Sequence, residues 1–225
     1  MSRVIFSLDN VTYPDVVALN KNLPIWGVKI KPEFLMENGY AVVDFFKSKN
    51  LKVMLDNKLF DTKDSMNDQI TKYVSRGIDL VTVHASALFK PEEDLLLDHI
   101  VGVTVLTTFK DAQTIKIYKK WSKDAAAFLV EEIKQLGYKN IVCSSQDLQT
   151  MNVNSFSMHK FCPGIRPPWY KKEDDQNRKN TPAEAIQQGA DYCIIGRPLT
   201  QFIKDPDKLL EKICSINEEI KKVTH

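Results

Sequence analysis

An excess of either charge is the first thing this chain lacks. Its 31 Lys and Arg residues against 29 Asp and Glu leave a net charge of +2 over 225 residues. That balance gives no reason to expect nucleic acid or an anionic membrane as a partner. Long hydrophobic runs are missing as well: none approaches the roughly 20 residues of a membrane helix. The start, Met1-Ser2-Arg3-Val4-Ile5-Phe6-Ser7-Leu8-Asp9, is too short and too soon charged for a signal peptide. A cytoplasmic protein is therefore expected. The cysteines, Cys143, Cys162, Cys193 and Cys214, contain no Cys-x-x-Cys pair. They read as small buried hydrophobes in a reducing compartment. No His-x-x-x-His or Cys/His cluster suggests zinc. Gly-x-Ser-x-Gly and the phosphate-binding P-loop are absent. No linker or low-complexity stretch divides the chain, so one domain over residues 1–225 is expected.

What is present is an alternation. Hydrophobic residues make up 43% and charged residues 27% of the chain, an ordinary globular balance. Short apolar runs predict strands at Val4 to Asp9, Trp26 to Lys31, Lys52 to Lys58, Leu80 to Ala85, Val101 to Thr107, Asn140 to Ser144, Phe156 to Cys162 and Tyr192 to Ile195. Helical spacing fills most intervals: Tyr13 to Leu23, Pro32 to about Lys49 with Asn38-Gly39 as an interruption, Ser65 to Arg76, and Pro91 to His99. Asp111 to Gly137 carries one or two helices with Lys123-Asp124 as the joint, and a closing amphipathic helix runs from Asp205 to about Val223. Thr181, Pro182 and Glu184 spell a capped helix start with a capping box. Eight strands, most followed by a helix, predict an α/β fold and specifically a single (β/α)8 TIM barrel. A doubly wound open sheet is the runner-up, weakened because no Gly-x-Gly-x-x-Gly follows the first strand.

The barrel prediction carries its own check. Active sites in such barrels lie at the C-terminal ends of the strands. The polar residues ending these strands are Asp9, Lys29, Asp56, Lys58, Thr107, Arg166 and Arg197, and they should converge on one pocket. In Val53-Met54-Leu55-Asp56-Asn57-Lys58 the alternation of a strand puts Asp56 and Lys58 side by side at the end of a buried run, with Asp61 just beyond. A solvated surface ion network is the bland reading of these charges. Against it stands their place after the most apolar part of the strand, where unpaired charge is costly. A lysine flanked by acids is a poor base but a good proton donor, suited to delivering a proton to a carbanion. The acids beside it are also fit to coordinate Mg²⁺. Pro163-Gly164-Ile165-Arg166 and Gly196-Arg197-Pro198 follow the seventh and eighth strands, where barrels often bind phosphate. Their plainer reading is a pair of surface turns. His84 lies in a strand and reads as a hydrogen-bonded core residue.

Taken together, Asp9, Lys29, the Asp56-x-Lys58-x-x-Asp61 motif, Pro163-Gly164-Ile165-Arg166 and Ile195-Gly196-Arg197-Pro198 resemble orotidine 5′-phosphate decarboxylases of the bacterial type, nearly end to end. The Asp-x-Lys-x-x-Asp motif alone is shared with a wider suprafamily that includes 3-keto-L-gulonate 6-phosphate decarboxylase and hexulose-6-phosphate synthase. The resemblance implies a homodimer of barrels with shared active sites, converting orotidine 5′-monophosphate to UMP and CO₂ with no cofactor and no metal. It implies that Lys58 protonates C6 of the pyrimidine, that Asp56 sits against the substrate carboxylate, and that Lys29 holds the acids and binds ribose. Asp61 would reach into the partner's site. Asp9 and Ser65 would bind ribose hydroxyls, Thr107 would lie near the base, and Arg166, Gln176, Gly196 and Arg197 would hold the phosphate. Residues Arg166 to Asn180, long, charged and without glycine, are the expected lid.

One departure stands out. The family usually continues its motif with Ile-Pro, and this chain has Thr62-Lys63. The change adds a hydroxyl where an apolar contact to the ring is usual and frees the loop backbone. Two further readings stay open at this point: a Mg²⁺-dependent sugar-phosphate enzyme of the same suprafamily, and a barrel that binds a nucleotide without turning it over.

Overall fold

Short, β-branched apolar runs suit strands that are covered on both faces, and eight of them form the frame. In the computed structural model, which describes residues 2–17, 22–148, 157–172 and 179–224, the strands are β1 (Val4–Ser7), β2 (Gly27–Ile30), β3 (Lys52–Leu59), β4 (Leu80–His84), β5 (Ile100–Val103), β6 (Asn140–Val142), β7 (His159–Cys162) and β8 (Tyr192–Ile195). Each pairs in parallel with the next, and β8 closes on β1, giving a (β/α)8 barrel. The described helices are α1 (Tyr13–Val17), α2 (Pro32–Asn38), α3 (Ala41–Ser48), α4 (Lys63–Ser75), α5 (Asp111–Tyr118), α6 (Ser122–Gln135), α7 (Ser145–Leu148), α8 (Pro182–Gln187), α9 (Arg197–Thr200) and α10 (Pro206–Lys221).

The pleat sorts each strand into two layers. Val4 and Phe6, like Val53 and Leu55, belong to the large core between strands and helices. Ile5, Met54, Leu80, Val101, Phe161 and Ile194 form a separate small cluster. Met54 and Ile194 also line the cavity at one mouth of the barrel, so this cluster fills the barrel itself. Trp26 and Tyr192 pack against it, with Tyr192 stacked on Phe161 at 4.8 Å. The barrel is thus packed beneath its open end, and the cavity is confined to the C-terminal rim.

Several sequence expectations change in detail. The joint between α5 and α6 lies at residues 119–121, not at Lys123-Asp124. Lys119 adopts a left-handed φ of 57° and ends α5. Ser122 then opens α6 because its buried hydroxyl bonds Thr114 at 3.0 Å and its N–H donates to Asp111 at 3.1 Å. β5 stops at Val103 instead of Thr107. Thr104 continues the pairing, to the Val142 carbonyl, and residues 105–108 line the cavity from outside the strand. The helix expected from Pro91 to His99 is a 3₁₀ turn at Asp94–Asp98. α1 is described only to Val17, and Asn22 and Leu23 are not helical. Strand β7 begins at His159, while Phe156 lies outside the described residues. Cys143, Cys162 and Cys193 are buried, but Cys214 is exposed on α10. The capping box at Thr181 is present: Thr181 Oγ1 accepts from the Glu184 N–H at 3.2 Å and the Glu184 carboxylate accepts from the Thr181 N–H at 2.7 Å. No described helix is long and apolar enough to cross a membrane.

Register in the barrel leaves no room at Gly27, which sits between Ile5 and Lys52. A Cβ there would lie 2.4 Å from the Lys52 carbonyl oxygen, a backbone atom that cannot move without shifting β3. Gly27→Ala is expected to destabilise the protein by about 1–3 kcal/mol, the usual cost of overpacking. Gly102→Ala should cost less, because its clash at 2.4 Å is with the free δ-methyl of Ile133. Urea titration of both variants checks the order.

Candidate active site

The strand ends at the C-terminal rim bring charge onto an apolar floor. Lys29 leaves β2 with only 7% of its surface exposed. Its ammonium donates to Asp56 Oδ2 at 2.6 Å, and it lies 3.5 Å from Asp9 Oδ1. Lys58 Nζ donates to the other Asp56 oxygen, Oδ1, at 2.6 Å. Asp9, just past β1, accepts from the Ser7 hydroxyl at 2.7 Å and has Lys31 at 3.7 Å. The result is an alternating row, Lys31, Asp9, Lys29, Asp56, Lys58, laid across the ends of three adjacent strands.

Strand β3 does not reach this arrangement by plain alternation. Its pairing with β4 runs Leu55 to Val81 and resumes at Leu59 to Val83. Asp56, Asn57 and Lys58 therefore face a single residue, Thr82. Extra residues on one strand bend it and re-aim side chains, as bulges beside active sites do. Lys58 absorbs the bend with a left-handed φ of 49°, unusual for a residue with a Cβ. Its displaced N–H donates to Thr82 Oγ1 at 2.8 Å, and the Thr82 hydroxyl donates to Asp56 Oδ1 at 3.2 Å.

Burial pushes the Asp56 carboxyl upward, but Lys29 and Lys58, by charge and by hydrogen bonding, outweigh it and bring it down to about 2. Burial likewise opposes ionisation of Asp9, and Lys29, the Ser7 hydroxyl and Lys31 together leave its pKa below the usual carboxylate value. Of the two ammonium groups bonded to Asp56, that of Lys58 is the more open, with 38% of its side chain exposed against 9% for Lys29.

The adjoining strand ends, β7 and β8, are built for an anion. After β7, Gly164 and Arg166 line the cavity, and the segment is pinned where Ile165 bridges Asn180 and the Arg166 N–H donates to the Asn180 carbonyl at 2.8 Å. The Arg166 guanidinium lies 5.6 Å from the Tyr170 ring centre. After β8, Gly196 caps the short α9, with Arg197 and Pro198 in its first turn. Gly196 is also where the rim meets the charged row: a Cβ there would come 3.2 Å from Asp9 Oδ2.

Asp9, Lys29, Asp56, Lys58, Thr107, Arg166, Gly196 and Arg197 all line one cavity of about 500 Å³. All seven polar strand-end residues thus converge, although Thr107 does so from a loop. Asp61 and Ser65 do not join them. Asp61 is exposed and accepts from the Ser65 hydroxyl and from the Thr62 N–H, both at 2.7 Å. These bonds hold its pKa below the usual value. It borders a second cavity of about 330 Å³ with Lys63, Met66, Leu88 and Lys90. Gln176 lies outside the described residues, as do residues 173–178 of the expected lid. His84 is half-buried and stays out of the charged cavity, with its Nδ1 2.7 Å from Ser86 Oγ. Among the described residues, no group of three His, Cys, Asp or Glu side chains is placed to hold a metal ion. Sequence reasoning missed Ser7, Lys31 and Thr82. Thr82 had a signal, a lone hydroxyl inside the apolar run Leu80 to Val83, and Ser7 shares strand parity with Asp9.

The lowered Asp56 pKa fixes the sign of an acid effect. A group whose folded pKa lies below its unfolded value contributes stability above the unfolded pKa and loses it as pH falls through the folded one. For Asp56, from 3.8 down to about 2, this contribution is about 2 kcal/mol at neutral pH. Stability is expected to fall between about pH 4 and pH 2. Asp56→Asn should be less stable at neutral pH and flatter across that window, as read by chemical denaturation at several pH values.

The sequence pattern of the "Orotidine 5'-phosphate decarboxylase / HUMPS family" matches residues 2–213. The chain is 30% identical to an orotidine 5′-phosphate decarboxylase of Lawsonia intracellularis, covering 96% of this chain and 99% of that one. It is 32% identical to one of Prochlorococcus marinus (strain MIT 9312), covering 94% and 93%. The crystal structure of orotidine 5′-phosphate decarboxylase from Lactobacillus acidophilus superposes with a TM-score of 0.74 at 21% identity, over 96% of this chain and 99% of that one, and supports the fold. A match over nearly the whole chain, with Asp9, Lys29, Asp56, Lys58, Arg166 and Arg197 gathered in one cavity, leads to one conclusion: this chain belongs to the orotidine 5′-phosphate decarboxylase/HUMPS family.

Proposed function

We propose that the protein decarboxylates orotidine 5′-monophosphate to UMP and CO₂, the last chemical step in making UMP, using its own side chains and no cofactor. The observation that carries this reading is Asp56 held between two ammonium groups inside a cavity whose charge is otherwise cationic. Lys29, Lys31, Lys58, Arg166 and Arg197 outnumber Asp9 and Asp56 there by three. A phosphate monoester close to −2 plus one carboxylate brings about three negative charges, so the substrate matches the cavity in charge.

The roles are those the family resemblance implies, and the places of these residues around the cavity support them. Arg166 and Arg197, with the backbone at Gly164 and Gly196, take the phosphate. The Gln176 side chain would add to them. Asp9 and Lys29 hold the ribose hydroxyls, and Thr107 meets the base. The substrate carboxylate then lies against Asp56, and C6 lies by Lys58. The C6–carboxylate bond breaks, CO₂ departs, and the electron pair remains at C6. The fixed Lys58 ammonium stabilises that developing charge without having to reorient. Its proton then moves to C6, leaving a neutral amine that regains a proton from water. Val103, Val105, Leu106, Val142 and Ile194 form an apolar wall that strengthens these charge interactions by excluding water. The phosphate grip, remote from C6, supplies binding energy that orients the reacting carbon.

Asp61 acts at the site of a second copy in a homodimer. Two features support this: it is exposed and outside its own chain's charged cavity, and it stands beside Phe60 (67% exposed) and across the second cavity from Leu88, which is also exposed. Large exposed apolar side chains of this kind mark interaction surfaces. Ser65, bonded to Asp61, would serve the ribose from the same side.

Purified protein given orotidine 5′-monophosphate with EDTA should consume it, followed by pyrimidine absorbance; no loss of substrate rejects the reading, and activity abolished by EDTA points to the Mg²⁺ chemistry instead. Lys58→Ala should lower kcat by at least about 1,000-fold, since it removes both the charge and the proton donor. Mixing inactive Lys58→Ala and Asp61→Ala proteins should restore up to about a quarter of wild-type activity, from the one intact shared site in each mixed dimer. No recovery would place Asp61 in its own subunit's chemistry.

A further inference from the structure

The register slip in β3 leaves a problem that one side chain solves. Three residues, Asp56, Asn57 and Lys58, lie opposite Thr82 where an ordinary parallel ladder would place one. The Lys58 N–H thereby loses a strand partner, and Lys58 sits at a left-handed φ of 49°. A buried N–H without a partner, on a backbone in a sparsely occupied region, is costly unless the surroundings hold it. Thr82 is 1% exposed, and its hydroxyl oxygen accepts that N–H at 2.8 Å. The same hydroxyl has one proton to give, and Asp56 Oδ1 takes it at 3.2 Å. Asp56 Oδ1 is also the oxygen that Lys58 Nζ contacts, at 2.6 Å. A single hydroxyl therefore ties together the backbone of Lys58, the carboxylate of Asp56 and, through that carboxylate, the ammonium of Lys58.

We propose that Thr82 is the positioning residue of the site: its hydroxyl holds the Lys58 backbone in the left-handed turn and orients the Asp56 carboxylate, so that the ammonium is delivered to the reacting carbon. This rests on the decarboxylase reading of the cavity. The hydroxyl is needed for both bonds, and the β-methyl is not. Valine keeps the shape and loses both bonds, whereas serine keeps both bonds and loses only the methyl.

The test compares Thr82→Val and Thr82→Ser with wild type in two readouts. With orotidine 5′-monophosphate, Thr82→Val should lower kcat by about 100-fold, the scale of a misplacement of about 1 Å, with KM within about threefold because the phosphate grip is untouched. Thr82→Ser should recover kcat to within about threefold of wild type. Independently of turnover, NMR titration of carboxyl carbons should show Asp56 ionising at higher pH in Thr82→Val than in wild type, since a hydrogen bond to the charged form is lost. In Thr82→Ser it should titrate as wild type. A Thr82→Val protein with wild-type kcat, or with an unmoved Asp56 titration, overturns the proposal, as does a Thr82→Ser protein as impaired as the valine variant. A wild-type protein that turns over no substrate sinks the decarboxylase reading, and the titration then decides alone whether Thr82 orients Asp56. Should Thr82→Val not fold, the serine variant must still match wild type in both readouts.

Discussion

Asp56 carries an ammonium group on each of its carboxylate oxygens, and the rest of the site depends on that bond pattern. A lone carboxylate with 11% of its side chain exposed at the mouth of a packed barrel would protonate or draw in water. Lys29 on one side and Lys58 on the other keep it ionised, with its pKa at about 2 after burial has worked in the opposite direction. The dependence is mutual. Without the carboxylate, two cations would face each other across a few ångströms of protein, and each would need a new partner. Removing one member of such a buried set leaves an uncompensated charge, which costs about 3–5 kcal/mol. The three groups are therefore held as a unit, and a unit that cannot relax suits stabilising charge that appears only as a bond breaks.

The barrel supplies the placement. Asp9, Lys29 and Asp56 come from three adjacent strand ends, while Arg166 and Arg197 come from the seventh and eighth, which close the ring onto the first. The phosphate grip thus lies next to Asp9 in space although it is far away in the chain. Gly196 marks the junction, with Asp9 Oδ2 3.2 Å from where its Cβ would be. Below the site, Met54, Phe161 and Ile194 fill the barrel. This packing confines the opening to one end and gives the charged row a firm floor. The exposed Asp61 and its Ser65 partner do not share this floor. Asp61 borders a second cavity beside the first turn of α4.

Most of this was legible from residue order alone. Eight apolar runs at regular spacing gave the barrel, and the polar residues ending those runs gave the cavity, because strand ends in a closed parallel ring must share one rim. Boundaries were less legible. Val105 reads as a strand residue by its side chain, but it faces the cavity from a loop, since apolar residues serve either place. Ser122 could not be seen as a helix start, because the groups that fix it there, Asp111 and Thr114, act through tertiary contact. The geometry of Asp56 and Lys58 was hidden for a similar reason. Alternation puts them on one face, yet the observed route is a register slip and a left-handed lysine. A slip belongs to the pair of strands, and neither strand's sequence alone reveals it.

The central claim is that the Lys58 ammonium, fixed by Asp56, supplies the proton that replaces the departing carboxylate. The most direct measurement is the reaction of orotidine 5′-monophosphate in D₂O, reading CO₂ release alongside the hydrogen isotope at C6 of the product, for wild type and Lys58→Ala. The account predicts one deuterium at C6 for each CO₂ released by wild type and almost no CO₂ from the variant. CO₂ released by Lys58→Ala at close to the wild-type rate would contradict it.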